Sequence, residues 1–278
     1  MKYTLLAIVS FFIMACKKEG SSSKTIVNSG NDPNFTIVQN TDAELISFNR
    51  KVSVFGIDIY AVPKVEDVKL LHAANVMAQY LDNNEDGVVD NTAVLDKMLE
   101  NKAFVIMWKS ESDFPNTIPE GRIGQDLGND ETNPSWHTNG HTGNFDATLE
   151  EIWHIITASG YSQAYPNIFG EYSGTTLTNA MDVARGGHFE TIPTPYPSNA
   201  WYSYDDQTCD YNCMATEYNY WAMSSILGAQ ENRLNEIDNE WRLNTKDLVE
   251  STDVDVFQLL TNSTYKLPTV LPDGTYKH

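Results

Sequence analysis

Residues 145–157, Phe-Asp-Ala-Thr-Leu-Glu-Glu-Ile-Trp-His-Ile-Ile-Thr, restrict the folding of this chain more than any other segment. They read as one helix, capped by Asn144 or Asp146. Glu150, Glu151 and His154 fall on neighbouring turns, and residues three and four apart share a helix face. Glu150 and His154 therefore point at one position, where a metal ion fits, while Glu151 sits beside it. The alternative is a solvated helix face with one buried, hydrogen-bonded histidine.

The N-terminus bears on location. Lys2 precedes an apolar run, residues 4–15, that is too short to span a bilayer. It ends in Ile13-Met14-Ala15-Cys16, which resembles a bacterial lipobox. That resemblance implies cleavage after residue 15 and lipidation of Cys16. Residues 1–15 are then a signal peptide, and 16–45 a lipidated cysteine with a polar Gly/Ser/Asn-rich tether. Residues 46–278 form one globular metal-binding domain, anchored by its lipid in the envelope of a bacterium, at the outer membrane or cell surface. Two of the 3 cysteines remain, Cys209 and Cys213, and outside the cytoplasm these pair as a disulfide. With 18 Lys+Arg against 38 Asp+Glu the formal net charge is -20. This excludes nucleic acid as a partner and adsorption to anionic lipid by surface charge. It suits an exported domain that binds divalent cations.

Hydrophobic periodicity outlines the rest. Residues 51–62 alternate like a strand interrupted by Gly56, and Pro63 closes it. Residues 65–81 form an amphipathic helix with Val68, Leu71, Ala74, Val76 and Leu81 on one side. A helix at 92–100 and strands at 103–108 and 121–127 follow. Further helices are expected at 173–184, closed by Gly186-Gly187, and at 213–227. The second of these continues as a polar helix over 230–241. The Pro-rich segment 192–199 is a rigid connection, and the tail from 254 is a short helix and a wrap. Few strands and many helices give a helix-rich α+β domain.

Between two of these helices lies Asp82-Asn-Asn84-Glu-Asp86-Gly87-Val88-Val-Asp90. Oxygen-bearing side chains at positions 1, 3, 5 and 9 surround a hard cation, Gly87 permits the tight turn, and the Val88 carbonyl is the main-chain ligand. The segment resembles EF-hand, dockerin and thrombospondin-type calcium loops, which implies structural calcium. It departs from them at position 12, where Ala93 replaces the bidentate acid; Asp96 is a candidate substitute.

The helix at 145–157 resembles the H-E-x-x-H helix of zinc metallopeptidases, with Glu150 in place of the first histidine. Glu217 lies in a later apolar helix, as the third ligand does in the gluzincin branch. The resemblance implies a zincin-like fold with zinc on Glu150, His154 and Glu217. It also implies Glu151 as general base toward a zinc-bound water, and a peptide or protein substrate. Tyr202, Tyr204 or Tyr218 would donate to the oxyanion. An extra carboxylate on the ion lowers its Lewis acidity.

His137, His141 and His188 offer alternative ligands, including the set His137, His141, Glu151 and His154 for zinc, iron or manganese. Glu151-x-x-His154 is also the unit of di-iron helices, although a second such unit is missing. Trp136, Trp153, Trp201 and Trp221, with the Tyr-rich run 196–220, admit carbohydrate stacking. Two functions compete: a metal-dependent hydrolase, and a non-catalytic surface lipoprotein that binds a glycan, a partner protein or a metal.

Overall fold

A computed structural model describes residues 26–28, 32–114 and 119–278. The signal peptide and Cys16 lie outside the described residues. Six strands form one mixed sheet in chain order: β1 (Ile26–Asn28), β2 (Ile37–Gln39), β3 (Arg50–Val54), β4 (Ile57–Ala61), β5 (Phe104–Trp108) and β6 (Gly124–Gly128). The first four pair antiparallel, and β4, β5 and β6 run parallel. The helices are α1 (Asp67–Leu81), α2 (Thr92–Glu100), α3 (Ser135–Thr138), α4 (Thr148–Ile156), α5 (Ser162–Ala164), α6 (Pro166–Phe169), α7 (Thr176–Ala184), α8 (Tyr211–Ile226), α9 (Leu234–Ile237), α10 (Lys246–Thr252) and α11 (Val254–Leu260). The fold is α+β.

The interrupted strand at 51–62 is a hairpin. Phe55 (φ 47°) and Gly56 (φ 91°) form the two-residue connection, and Val54 pairs with Ile57. Two positive φ values in succession match the right-handed twist of the flanking strands. Within the segment expected as a tether, Ile37–Gln39 joins the sheet and Leu45 is buried.

Parallel β4 and β5 require a crossover, which α1 and α2 supply. β5 is apolar along its length, as an interior strand covered on both faces must be. Next to it, a side chain at Gly124 would strike the Phe104 ring at 2.5 Å. From Leu70 onward α1 is buried on every side, since it packs on β3 and β4 and against α4. Val68, expected on its inner face, lies in the first turn and stays exposed. The polar helix expected over 230–241 is reduced to α9, whereas α10 went unforeseen. Cys209 and Cys213 form a disulfide with Cα atoms 5.3 Å apart, at the start of α8.

The seat of α4 is built on Asp146. Its Oδ2 accepts hydrogen bonds from His72 Nε2 in α1 (2.7 Å) and His137 Nε2 in α3 (2.8 Å). Its Oδ1 accepts from Asn133 N (2.8 Å) and Thr148 Oγ1 (2.8 Å). Burial opposes ionisation of this carboxyl, but the bonds from His137 and His72 outweigh it and hold it below the usual carboxylate range. The cap position is Ala147, with no side-chain cap, so neither Asn144 nor Asp146 caps the helix as expected; Asp146 instead ties its start to α1 and α3.

Removing one partner of a buried, ionised network leaves the others unpaired. Asp146→Ala is expected to destabilise the domain by about 3–5 kcal/mol in urea unfolding at neutral pH. The difference between wild type and variant should shrink as the pH falls. A depressed carboxyl contributes fully above its ordinary value of 3.8 and loses that contribution below it.

Candidate metal centre

The second half of α4 presents His154 toward α8 from the core side. The ring is buried, with its side chain 7% exposed, and stands edge-on to Tyr220 at 5.6 Å between centroids. Nδ1 lies 3.5 Å from Glu151 Oε2, and Nε2 lies 3.6 Å from Glu217 Oε2. Ligand atoms of Glu150, Glu151 and His154 all fall within 4.8 Å of one another. Glu217 approaches His154 from 63 residues away in the chain but is not in that group, so the expected zinc set Glu150, His154 and Glu217 does not converge as three ligands within 4.8 Å.

α8 delivers Glu217 because its register is fixed on both flanks. Asn219 accepts from Trp153 Nε1 (3.2 Å), and Tyr218 donates to Asp253 Oδ2 (2.7 Å). Glu217 and Tyr220 share a face, and Tyr220 faces Glu150. Of the three tyrosines named as oxyanion donors, Tyr204 faces Glu217. Tyr202 donates to Met214 O (2.7 Å) and Tyr218 to Asp253, so both are committed elsewhere.

The other histidines do not reach this centre. His137 joins His72 and Asp146, a second group of potential ligands. His141 stacks on Trp136 at 4.2 Å. His188 is paired with Asp182 and Glu190 at the surface, 2.7 Å from each. The set His137, His141, Glu151 and His154 is accordingly not assembled. Trp136, Trp153 and Trp221 are buried, and half-buried Trp201 donates to Asp253, so these rings are core and no stacking platform.

Several carboxylates around His154 were not foreseen. Glu171 is bonded by Thr216 Oγ1 (2.9 Å), one residue before Glu217. Asp126 and Glu131 flank Glu151, and Glu240 flanks Glu217. Their only signal in the sequence was the excess of acid; their convergence is tertiary. Burial raises Glu150, Glu217 and Glu171, and like charges add to this: Glu151 and Glu217 act on Glu150, and Glu151 on Glu217. Burial, Asp205 and Glu217 raise Glu240 to about 7. For His154 burial disfavours the charged ring, but Glu217, then Glu151 and Glu150, outweigh it and push the ring up to about 10.

Nε2 is wholly buried and has no hydrogen-bond partner among the described residues. Two donors about 2.1 Å from a tetrahedral ion stand about 3.4 Å apart. The 3.6 Å between Nε2 and Glu217 is therefore long for a hydrogen bond and suited to two ligands of one ion.

In the loop at 82–90, Asp82 is fully buried and accepts from Gly87 N (2.7 Å), Asp86 N (3.2 Å) and Tyr276 Oη. Asn84 accepts from Asp86 N (3.0 Å), Asp86 from Val88 N (2.9 Å), and Asp90 from Asn83 N (2.7 Å). Gly87 has φ 85°, the left-handed turn expected of it. Asp82, Asp86 and Asp90 are not among the groups of three that converge within 4.8 Å. Ala93 and Asp96 are both exposed on α2.

Comparison with protein-family models, curated proteins and solved structures returned no match. Among the described residues no helix is long and apolar enough to cross a membrane.

The sign of the pH dependence follows from these shifts. Raised carboxyls favour the folded state in their neutral form, so they oppose folding increasingly as pH climbs above their ordinary 4.5. A raised His154 contributes fully below 6.5 and loses that contribution as pH rises toward about 10. Both trends agree: without metal, thermal stability should fall across this range. Scanning calorimetry after exhaustive chelation tests it, and a stability that rises from pH 5 to 8 would count against the arrangement.

Proposed function

We propose that this protein is an envelope-anchored lipoprotein whose domain holds a divalent metal between α4 and α8. Hydrolysis by a metal-bound water is the activity to which its E-E-x-x-H helix points. The observation that carries this reading is His154 Nε2, buried, without a hydrogen-bond partner among the described residues, and 3.6 Å from the Glu217 carboxylate. The surrounding carboxylates support it, because so many buried like charges are costly unless a cation neutralises them. Imidazole with carboxylates suits zinc, iron or manganese.

His154 would hold the ion, with Glu217 at one edge of its ring and Glu150 and Glu151, which converge with it, as the further carboxylates. A bound ion would supply a polarised water or Lewis-acid activation of a carbonyl. Tyr204, beside Glu217, would donate a hydrogen bond to an oxygen at that side. A peptide or protein substrate is the class that the resemblance of this helix to metallopeptidase helices implies. The rival function, metal retention without catalysis, is favoured by the same carboxylates, since their charge reduces the Lewis acidity of the ion.

Metal analysis of the purified protein separates these readings from a metal-free fold. Wild type is expected to carry about one transition metal per chain, and His154→Ala to carry none. Peptide hydrolysis that disappears with the metal supports the enzyme. A loaded but inactive protein supports retention.

We further propose that the 82–90 loop holds calcium through Asp82, Asn84, Asp86, Asp90 and the Val88 carbonyl. Its Asx-type bonds and left-handed Gly87 support this. Calcium at one hundred times its dissociation constant should stabilise the domain by about 2.7 kcal/mol. Asp86→Ala should abolish that gain and change the calcium-free stability little; an undiminished gain would remove the loop from consideration.

A further inference from the structure

Away from the α4–α8 centre, a cavity of about 500 Å³ opens between the N-terminal half of α1, the start of α3 and the C-terminal wrap. None of its walls belongs to α4 or α8. Its volume lies in the range that takes a small organic ligand. Val68, Leu71, Pro33 and Pro134 supply an apolar lining, and His72, Asp32 and Asp273 are the titratable groups.

His72 is the buried member of these three, its side chain 5% exposed. Asp146, held as a carboxylate, can only accept, so the Nε2 that lies 2.7 Å from it carries the proton. On the neutral ring Nδ1 is then a lone pair. The bond to Asp146 is the one hydrogen bond His72 makes among the described residues, so Nδ1 has no partner there. The Nδ1 edge faces Gly274, itself part of the cavity wall, where a Cβ would fall 2.0 Å from Nδ1. Glycine at that position keeps the edge from being covered by a side chain.

We propose that this cavity binds a small organic ammonium ion with an apolar body, its N–H donating to His72 Nδ1 and its charge facing Asp32 and Asp273. The site is independent of the metal reading above.

Three features select this ligand class. A fixed acceptor in the wall calls for a donor. Two carboxylates, with no Lys or Arg in the lining, favour a positive charge over a neutral or anionic group. Both are oriented by neighbours: Asp32 Oδ2 accepts from Asn75 Nδ2 (2.6 Å), and Asp273 Oδ1 from Gln79 Nε2 (3.0 Å). Finally, no Phe, Tyr or Trp lines the cavity. A quaternary ammonium, which has no N–H and is held by aromatic faces, is therefore disfavoured against a primary one.

Titration calorimetry on the full chain would use phenethylammonium, cyclohexylmethylammonium and hexylammonium as probes. Each is compared with its trimethylammonium and alcohol counterparts. At least one primary ammonium should bind, and its two counterparts should bind at least about 10-fold more weakly, since each loses a charge-assisted hydrogen bond. Val68→Phe fills the cavity mouth at a position 62% exposed, so it should remove binding and leave the unfolding temperature near that of wild type. His72→Gln can still donate to Asp146 but places no acceptor at Nδ1, and it should also lose binding. Val68→Phe keeps the test available if His72→Gln does not fold. Failure of all three primary ions to bind at millimolar concentration overturns the proposal. So does a trimethyl or alcohol counterpart that binds as tightly as its amine, or binding undiminished in Val68→Phe or in folded His72→Gln.

Discussion

The buried carboxylate of Asp146 holds together the parts of the chain on which the candidate centre depends. It joins α1 through His72, α3 through His137, the loop backbone at Asn133 and the first residue of α4 through Thr148. An isolated ion in that position would be costly; with four donors it is well satisfied. The consequence for α4 is positional. Its axis is fixed at the N-terminal end by this network and packed along its length by α1, β6 and α8. Tyr80 adds a bond to Leu149 O (3.0 Å), just before the two glutamates. Glu150, Glu151 and His154 are therefore carried on a helix whose rotation cannot relax to separate their charges.

Beyond Ile156 the helix widens into a π turn over Thr157–Tyr161. Such widenings insert a residue without breaking the helix and frequently accompany functional sites. Here its local effect is plain. Gly160 has Val94 of α2 so close that a side-chain carbon would approach it to 2.6 Å, and Asn101 Nδ2 donates to Ser159 O (2.9 Å). The turn lets α2 close on the end of α4. This brings the helix that follows the 82–90 loop into the same packed unit as α4.

Much of the secondary structure was legible because its signals are local. The helix at 92–100 is bounded as the sequence predicted, with Asn91 as its cap. The helices around Glu150 and Glu217, and the interior strand β5, are apolar or periodic enough to stand out. The hairpin at Phe55-Gly56 was missed because one glycine signals a bulge as readily as a turn. The stretch 230–241 looked helical from its polar residues, but Trp241 there is pinned by Ser225 and Leu243, and no continuous apolar stripe supports a long helix. In the centre itself, the spacing of Glu150, Glu151 and His154 is a helix property and could be read. That Glu217 meets Nε2 while Glu151 meets Nδ1 depends on how α8 and β6 pack on α4. Asp146 illustrates the same boundary: its place before the helix marked it as a cap, but nothing local tied it to His72, 74 residues away.

The C-terminal wrap connects the loop at 82–90 to this anchor. Asn83 Oδ1 accepts from Thr269 N (2.8 Å) and Val270 N (2.9 Å), and Tyr276 donates to Asp82. Gln79, in the last turn of α1, accepts from Asp273 N (3.0 Å) and Gly274 N (2.8 Å). Gly274 rests on His72 so closely that a Cβ there would fall 2.0 Å from Nδ1, and its φ of 78° independently requires glycine. One segment thus touches both the loop that ends α1 and the histidine by which α1 grips Asp146. A cation bound in the loop would stiffen the same carboxylate that Tyr276 holds, and so tighten the wrap against α1. The two acidic regions of the chain are in this way parts of one mechanical unit, with α1 between them.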